Sequence, residues 1–214
     1  MEKHFPTKEE VKNALEARHG MEVQKRFSNA SVAVCGLGGL GSNIAISLAR
    51  AGVGKLHLID FDRVDLANLN RQQYLVSQIG MYKTEALQAQ LLQIAPYCEV
   101  VIDTVRITES NAGELLKDTD IICEAFDGAE EKAMLTNFVL EHFPEKYLVS
   151  GSGMAGFDSA NSIKTRKVTS HFYLCGDEKS DVADGIGLVS SRVMVCAAHQ
   201  AHMVLRILAE KYEV

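Results

Sequence analysis

The amino-acid sequence predicts an α/β protein with a doubly wound, mostly parallel, Rossmann-like sheet and a small antiparallel extension toward the C-terminus. Between residues 31 and 150, short apolar segments rich in β-branched residues alternate with segments of helical periodicity. This alternation is the pattern of parallel strands joined by helices. The first apolar segment runs directly into a G-x-G-x-x-G turn, and the turn opens a helical segment. A strand, a glycine turn and a helix in this order are typical of nucleotide-binding folds.

The first 29 residues are predicted to form two short helices. Residues 7–10, Thr-Lys-Glu-Glu, match a capping box, and Val11 and Leu15 follow on one face. Gly20 is predicted to end this helix, and a second helix covers residues 21–27.

Residues 30–150 are predicted to form the nucleotide-binding core. The long irregular stretch at residues 61–80 is expected to be functional, because a loop of that size is unusual inside a compact domain. The predicted strands are residues 31–35, 55–60, 99–105, 121–127 and 147–150, and the predicted helices are residues 44–51, 82–95, 109–117 and 129–141.

The pattern changes in the last part, residues 151–214, which we assign to the same single domain. Residues 161–174 mix β-branched, aromatic and basic residues and predict two antiparallel strands. Residues 175–187 are polar and predict a loop, and residues 188–211 predict a long final helix.

Composition excludes several classes of protein. The net charge of −6 among 214 residues argues against charge-driven nucleic-acid binding. The sequence contains no run of 18 apolar residues, so no membrane span is predicted. The charged residues 1–10 do not resemble a secretory signal. Five scattered cysteines are typical of a reduced protein, so we expect a cytoplasmic location.

The glycine turn and the acid after the second strand predict a nucleotide site. Glycine lets the backbone approach a phosphate, and the following helix directs free N–H groups and its positive dipole end at the same place. Asp60 lies 24 positions after Gly36, near the offset of an acid that accepts ribose hydroxyls. The alternative is that the glycines serve only a tight turn.

The residues around this turn favour ATP over NAD as the bound nucleotide. Asn68, Arg71, Gln72 and Lys83 crowd together, and Arg and Lys stabilise the negative charge of a triphosphate. Asp127 ends a further apolar strand, where a carboxylate can hold Mg²⁺ together with phosphate oxygens. Each has a simpler interpretation: Arg71 and Lys83 as surface charges, Asp127 as a helix cap.

Four motifs together resemble the adenylating domain of ubiquitin-activating-enzyme-like proteins, whose bacterial members are ThiF, MoeB and HesA. They are GLGGLGS at 36–42, DFDRVDLANLNRQ at 60–72, GMYKTE at 80–85 and EAFDG at 124–128. The resemblance runs from about Arg18 to the C-terminus. Residues 161–167 and 172–177 are similar to the short ThiF-type enzymes that adenylate the sulfur carrier ThiS in thiamine biosynthesis.

The resemblance implies ATP- and Mg²⁺-dependent adenylation of the C-terminal Gly-Gly carboxylate of a ThiS-like carrier, by a homodimer. Asp60 would bind the ribose, with Asp62 beside it, Asp127 would bind Mg²⁺, and Arg18 would reach the ATP of the neighbouring subunit. The phosphates would be contacted by Asn68, Arg71, Gln72 and Lys83, and the ATP would pack against Gly36, Gly38, Gly39 and Gly41. Among these residues, Arg71, Lys83, Asp127 and Arg18 would be catalytic.

The chain departs from many relatives of this family in its cysteines. It contains no C-x-x-C pair, so no structural zinc is expected, and Cys175 resembles the remnant of one pair. Cys196, His199 and His202 are expected to be ordinary helix residues, because their helical spacing spreads them apart. The crossover loop at residues 181–185 has no cysteine, so sulfur transfer is not assigned to this chain.

Several functions remain open from the sequence. The same activation chemistry could serve a molybdopterin-synthase small subunit, a peptide or a tRNA nucleoside. The chain could also be a non-catalytic partner subunit, which the presence of Arg71, Lys83 and Asp127 disfavours. An NAD oxidoreductase is disfavoured by the surplus of phosphate-binding side chains.

Overall fold

A seven-stranded sheet forms the centre of the molecule in the computed structural model, which describes residues 5–185 and 187–214. The strand order is β3-β2-β1-β4-β5-β7-β6, and every neighbouring pair is parallel except β6 with β7. The strands are β1 (Ser31–Cys35), β2 (Lys55–Ile59), β3 (Glu99–Asp103), β4 (Ile121–Glu124), β5 (Tyr147–Gly151), β6 (Lys164–Lys167) and β7 (Phe172–Gly176).

Seven α-helices accompany the sheet in the described part of the chain. The first, α1, begins at the predicted capping box, where Thr7 and Glu10 bond reciprocally, and it ends before Gly20. Four short 3₁₀ turns lie in the connections, at Leu66–Asn68, Val76–Gln78, Ala160–Ser162 and Val182–Asp184. The helices are α1 (Lys8–His19), α2 (Met21–Asn29), α3 (Gly39–Arg50), α4 (Lys83–Ile94), α5 (Glu109–Leu116), α6 (Ala129–His142) and α7 (Ser190–Leu208).

Helices cover both faces of the sheet, as a doubly wound fold requires. Successive residues of a strand point to opposite faces, so Val32 and Val34 join one buried cluster while Ala33 and Cys35 join the other. The first cluster packs against α3, α4 and α7, and the second packs against α5 and α6. The predicted fold class is therefore confirmed.

The two C-terminal strands correct one detail of the prediction. They are antiparallel to each other, as expected, but β7 also pairs in parallel with β5, with Leu148 opposite Phe172. The extension is therefore the edge of the main sheet. The inserted β7 buries Tyr173 and Cys175, which are both 0% exposed. The sequence pattern of two antiparallel strands does not reveal which of them will pair with the parallel sheet.

At the carboxyl edge of the sheet, the observed start of α3 and the observed end of β4 differ from the predicted boundaries. Helix α3 begins at Gly39 and not at residue 44, so the second half of the glycine turn is already helical. Strand β4 ends at Glu124, and residues 125–128 form the loop that leads to α6. Among the helices of the described chain, none is long and apolar enough to cross a membrane.

The third glycine of the turn determines how closely α3 approaches β1. A Cβ atom added to Gly41 would overlap the carbonyl oxygen of Gly36 and would lie 3.2 Å from the Val34 side chain. Gly36 itself has a φ of +89°, which side chains rarely tolerate. The spacing of these two glycines is thus set by packing within the chain.

We predict that Gly41→Ala lowers the free energy of unfolding by about 2–3 kcal/mol, because the methyl group overpacks against backbone that cannot move aside. The matched control is Gly113→Ala, a second helical glycine, whose new Cβ would make an ordinary 3.6 Å contact with Phe138. Alanine's better helix propensity should raise stability there by about 0.5–1 kcal/mol. Urea unfolding of both variants measures the difference, and equal midpoints would refute the packing role of Gly41.

Candidate functional site

A cavity of about 660 Å³ opens at the carboxyl ends of β1, β2, β4 and β5. From β1 the chain continues toward β2 on one side of the sheet, whereas β4 and β5 lie on the other side. The cavity lies at this switch point between β1 and β4, where ligands bind in open α/β sheets. Its walls include the glycine turn after β1, Asp60–Asp62 after β2 and residues 125–129 after β4.

The glycine turn lies against the floor of the cavity. A side chain at Gly36 would come within 2.9 Å of the Ala125 carbonyl oxygen and the Phe126 ring. Gly38 occupies the N-cap position of α3 and no side chain caps this helix, so its first amides are available to a ligand. Gly36, Gly38 and Gly39 line the cavity, whereas Gly41 lies in the packing contact beneath it.

Asp60 joins the end of β2 to the glycine turn. Its carboxylate accepts hydrogen bonds from the Leu37 amide (2.6 Å) and the Asp62 amide (2.7 Å). Burial raises the pKa of Asp60, and the nearby Lys83 ammonium and the two amides oppose that rise. A carboxylate offers about four acceptor positions, so two remain for hydroxyl groups of a ligand.

Lys83 presents its ammonium group on the same wall. It is the first residue of α4 and only 5% exposed, and its Nζ lies 2.7 Å from Asp62 Oδ2 and 3.9 Å from Asp60 Oδ2. The backbone repeats the link, since the Lys83 amide donates to the Asp62 carbonyl oxygen at 2.9 Å. Both acids are therefore paired with one buried cation, which fixes the orientation of its side chain.

Arg71 and Gln72 line the cavity, and each carries a buried polar atom that has no partner within the described chain. Two guanidinium nitrogens of Arg71 donate to Asn68 and Asn70, each at 3.0 Å. The third nitrogen, Nε, and the Gln72 Oε1 are both buried and make no hydrogen bond with the described residues. Buried polar groups are almost always paired in native proteins, so these two atoms are exceptions in the wall of the cavity.

Asp127 and Arg18 have very different positions. Asp127 lines the open edge of the cavity with an exposed side chain. It is not the cap of α6, because Gly128 occupies the N-cap position. Arg18 is exposed near the end of α1 and does not line this cavity. If Arg18 acts on a nucleotide, as the resemblance implies, it must do so from another molecule.

The cysteine and histidine residues of the C-terminal half do not converge. His199 bonds to the Thr165 hydroxyl at 2.9 Å, while Cys196 points at the Cys175 carbonyl oxygen at 3.4 Å. Throughout the described ranges, no group of three or more metal-ligating side chains comes together. Burial raises the pKa of Cys175 to about 12, so it is a protonated thiol inside the sheet and a poor nucleophile.

A buried acid that the sequence analysis missed organises the loop before α6. Glu124 is fully buried, and both its oxygens lie 3.0 Å from Lys132 Nζ. It also accepts hydrogen bonds from the Phe126 amide at 2.7 Å and from the Ser150 hydroxyl. Lys132 lines the cavity. The available signal was a glutamate ending an otherwise apolar strand, with a lysine eight residues later.

An aromatic and cationic pair, also missed, lies at the other end of the cavity. The Arg106 guanidinium is 4.1 Å from the centre of the Phe61 ring and donates to Glu131 at 2.8 Å. The neighbouring apolar residues Val105 and Ile107 line the same end. These residues offer flat and apolar surfaces. The glycine turn instead offers N–H groups, and Arg71 and Lys83 supply positive charge.

Comparison with curated proteins places these features among known enzymes. The "Adenylyltransferase and sulfurtransferase MOCS3" of Drosophila willistoni is 35% identical over 136 residues, which cover 63% of this chain and 29% of that protein. The "Probable molybdopterin-synthase adenylyltransferase" of Porphyra purpurea is 36% identical over 122 residues, covering 56% of this chain and 32% of that one. The chain thus matches about a third of the length of these relatives.

Solved structures share the fold. The E. coli tRNA N6-threonylcarbamoyladenosine dehydratase TcdA, in complex with ATP, superposes with a TM-score of 0.84 at 22% identity, over 93% of each chain. E. coli MccB superposes with a TM-score of 0.70 at 22% identity, over 91% of this chain and 60% of that one. At such identities the likeness establishes a common architecture.

The family assignment rests on the sequence as a whole. The ThiF family model matches residues 12–214. This range contains all four motifs and every residue that lines the cavity. The chain belongs to the ThiF family.

Proposed function

We propose that the chain is an adenylyltransferase that uses ATP and Mg²⁺ to activate the C-terminal Gly-Gly carboxylate of a ubiquitin-fold sulfur carrier. The observation that carries this proposal is the switch-point cavity in which Arg71 and Lys83 converge on the glycine turn, with Asp127 at the open edge. Family membership supports it, since the relatives named above are adenylyltransferases by name.

The two ends of the cavity fit the parts of ATP. The glycine turn and the start of α3 supply N–H donors, and Lys83 and the Arg71 guanidinium supply positive charge, so this part of the cavity suits the phosphates. Asp60 has acceptor positions free for ribose hydroxyls. The flat surfaces of Phe61 and Arg106 suit the base. The volume is within the usual range for a small-molecule site, which is about 300–1,000 Å³.

Asp127 is the residue that would hold Mg²⁺. Magnesium is commonly held by one or two protein carboxylates together with substrate phosphates, so a single exposed aspartate on the cavity edge fits. The bound ion would neutralise charge on the phosphates that leave.

The chemistry needs positioning more than proton transfer. A carboxylate oxygen of the acceptor attacks the α-phosphorus, the bond to the β-phosphate breaks, and acyl-adenylate and pyrophosphate result. A terminal carboxyl group has a pKa of about 3.5 and is ionised at neutral pH, so no general base is required. Arg71 and Lys83, both held in place by neighbouring side chains, supply the positive charge that this step needs.

We further propose a ThiS-like carrier of thiamine biosynthesis as the acceptor, on the resemblance of residues 161–167 and 172–177 to short ThiF-type enzymes. Sulfur delivery is left to a second protein, because Cys175 is buried with a raised pKa. ATP dependence and five cysteines without disulfides in the structure agree with a cytoplasmic location. A homodimer is proposed because the family resemblance gives Arg18 a role at a nucleotide, and Arg18 lies outside its own chain's cavity.

The first test is ATP–pyrophosphate exchange with Mg²⁺ and purified carriers. Exchange should depend on a carrier that ends in Gly-Gly and vanish when those two residues are removed from the same carrier. A ThiS-like protein and a molybdopterin-synthase small subunit, assayed side by side, distinguish the two acceptors. Exchange with neither carrier would contradict the proposal and favour a peptide or tRNA acceptor or a non-catalytic subunit.

Asp127→Asn should reduce carrier-dependent exchange by about 100-fold or more, because metal ions contribute several kcal/mol of charge stabilisation at such sites. Raising the Mg²⁺ concentration should recover part of the lost rate. The matched control is Glu130→Gln, an exposed acid in the first turn of α6 that does not line the cavity. A folded Asp127→Asn chain with normal exchange would refute the metal assignment.

Mixing two inactive variants tests whether Arg18 acts across a dimer. Arg18→Ala and Asp127→Ala chains are each expected to be inactive. After subunit exchange at equal concentrations, about a quarter of the sites should combine an intact Asp127 with an intact Arg18 from the other chain. We expect that share of the activity to return. Lys12→Ala, on the same helix and with an ion pair to Glu16 in the described structure, serves as the control that stays active alone. No recovery on mixing would exclude the cross-subunit role.

A further inference from the structure

A buried ion pair beside the cavity is not used by the proposed nucleotide site. Arg192 stands in the first turn of α7 and is 4% exposed, and its guanidinium donates to the Asp177 carboxylate, whose side chain is 6% exposed. The same guanidinium also donates to the carbonyl oxygens of Asp158 and Ser159 (2.9 Å to Ser159) and to the Ser162 hydroxyl at 3.2 Å.

The position of Arg192 at the start of a helix is electrostatically unfavourable. The N-terminus of a helix carries a positive partial charge, so a cation in the first turn is disfavoured. No acidic residue of α7 lies in that turn to offset it. A buried guanidinium there therefore depends on partners from elsewhere in the chain. The four partners come from two segments, residues 158–162 before β6 and residue 177 after β7.

Asp177 connects this arginine to the wall of the cavity. Its carboxylate accepts hydrogen bonds from the amides of Lys179 and Ser180, each at 2.9 Å, and from the Ser180 hydroxyl at 3.1 Å. The Ser180 hydroxyl oxygen in turn accepts a bond from the Ala155 amide at 3.0 Å. Burial alone would raise the pKa of Asp177, but these donors and Arg192 lower it to about 2, so the carboxylate is charged at neutral pH.

The segment that this ion pair holds in place lines the cavity. Ser152, Gly153, Met154 and Ala155 form this wall together with Ser180. The packing is tight, because a Cβ at Gly153 would overlap the Asp177 carboxylate. Among the described residues, the hydrogen bonds of Arg192 go to residues 158, 159, 162 and 177, and none goes to the glycine turn, Asp60, Arg71 or Lys83.

We infer that Arg192 and Asp177 are positioning residues for the acceptor: they hold the 152–155 wall where the acceptor's terminal carboxylate must lie to reach the α-phosphate. This inference rests on the proposed adenylation. The nucleotide is expected to lie against the glycine turn, Arg71 and Lys83. The 152–155 wall follows β5 at the same edge of the sheet and lines the same cavity, so an acceptor lying along it can reach the nucleotide. A displaced wall would bind the acceptor tail less tightly both before the reaction and in the transition state, which raises the KM for the acceptor and leaves kcat unchanged.

The variant to test is Arg192→Lys, which keeps the positive charge but cannot bond to two carbonyls, a hydroxyl and a carboxylate together. Its matched control is Arg166→Lys. Arg166 makes a two-pronged pair with the adjacent Glu178, at 2.9 and 2.7 Å, but this pair is exposed and does not line the cavity. Asp177→Asn provides a second variant that retains an acceptor oxygen for the amides.

In carrier-dependent ATP–pyrophosphate exchange, Arg192→Lys should raise the KM for the carrier about tenfold, with kcat and the Kd for ATP within about twofold. Hydrogen exchange of amides 152–155 should accelerate in the same variant and not in Arg166→Lys. A merely structural defect would weaken ATP binding and lower kcat as well. The inference is overturned if the Kd for ATP rises as much as the KM for the carrier, or if amides 152–155 keep their protection.

The test separates failure of this inference from failure of the proposed function. A wild-type chain that shows no exchange with either carrier would refute the function, and the acceptor role of the pair would fall with it. With an active wild-type chain, the pair is judged on the variants alone. Faster exchange at amides 152–155 in Arg192→Lys, with an unchanged Kd for ATP, would support the positioning of the wall. Any other combination would overturn it.

Discussion

The hydrogen bonds that join Asp60 to the glycine turn are the constraint on which the site depends. The Leu37 amide donates to Asp60 at 2.6 Å, and the same carboxylate accepts the Asp62 amide. One buried acid thereby fixes the end of β2, the turn before α3 and the loop that carries Asp62. Lys83 takes its orientation from Asp62, so the position of a buried cation follows from the same acid. Removing the Asp60 carboxylate would therefore disturb several walls of the cavity together.

A second principle of the site is that its charges are paired by the chain before any ligand arrives. Lys83 is held by Asp62, and Arg71 by two asparagines. Lys132 is held by Glu124. Such preorganisation reduces the reorganisation needed when charge develops in a transition state. The exceptions are Arg71 Nε and Gln72 Oε1, which are buried without partners in the described structure.

Much of the fold could be predicted from the sequence, because its elements obey local rules. Strand β1 was predicted residue for residue, since its apolar β-branched residues precede a glycine turn. The capping box placed α1 within one residue. The pairing of β7 with β5 was missed, because strand pairing depends on distant packing that periodicity does not encode.

The site residues that belong to a sequence motif could be predicted. The buried charged residues outside the assigned motif positions could not. Asn68, Arg71, Gln72, Lys83 and Asp127 all line the cavity. Glu124 and Arg192 were not foreseen, because a single charged residue in an apolar strand or helix usually lies at the surface. Their burial also depends on partners far away in sequence, namely Ser150 for Glu124 and residues 158–177 for Arg192.

The buried ion pair of Arg192 and Asp177 beside the cavity costs solvation energy. Two buried charges lose much solvation energy, and well-packed apolar residues often stabilise a fold as well or better. Arg192 and Asp177 therefore contribute little that apolar packing could not supply if stability alone is considered. The planar guanidinium instead fixes the directions of its hydrogen bonds. It can donate to two carbonyls, a hydroxyl and a carboxylate together only when their oxygens lie near its plane. A flexible acceptor tail does not order its own terminal carboxylate, so the protein must do so. A wall whose backbone is held in a fixed direction can provide that order.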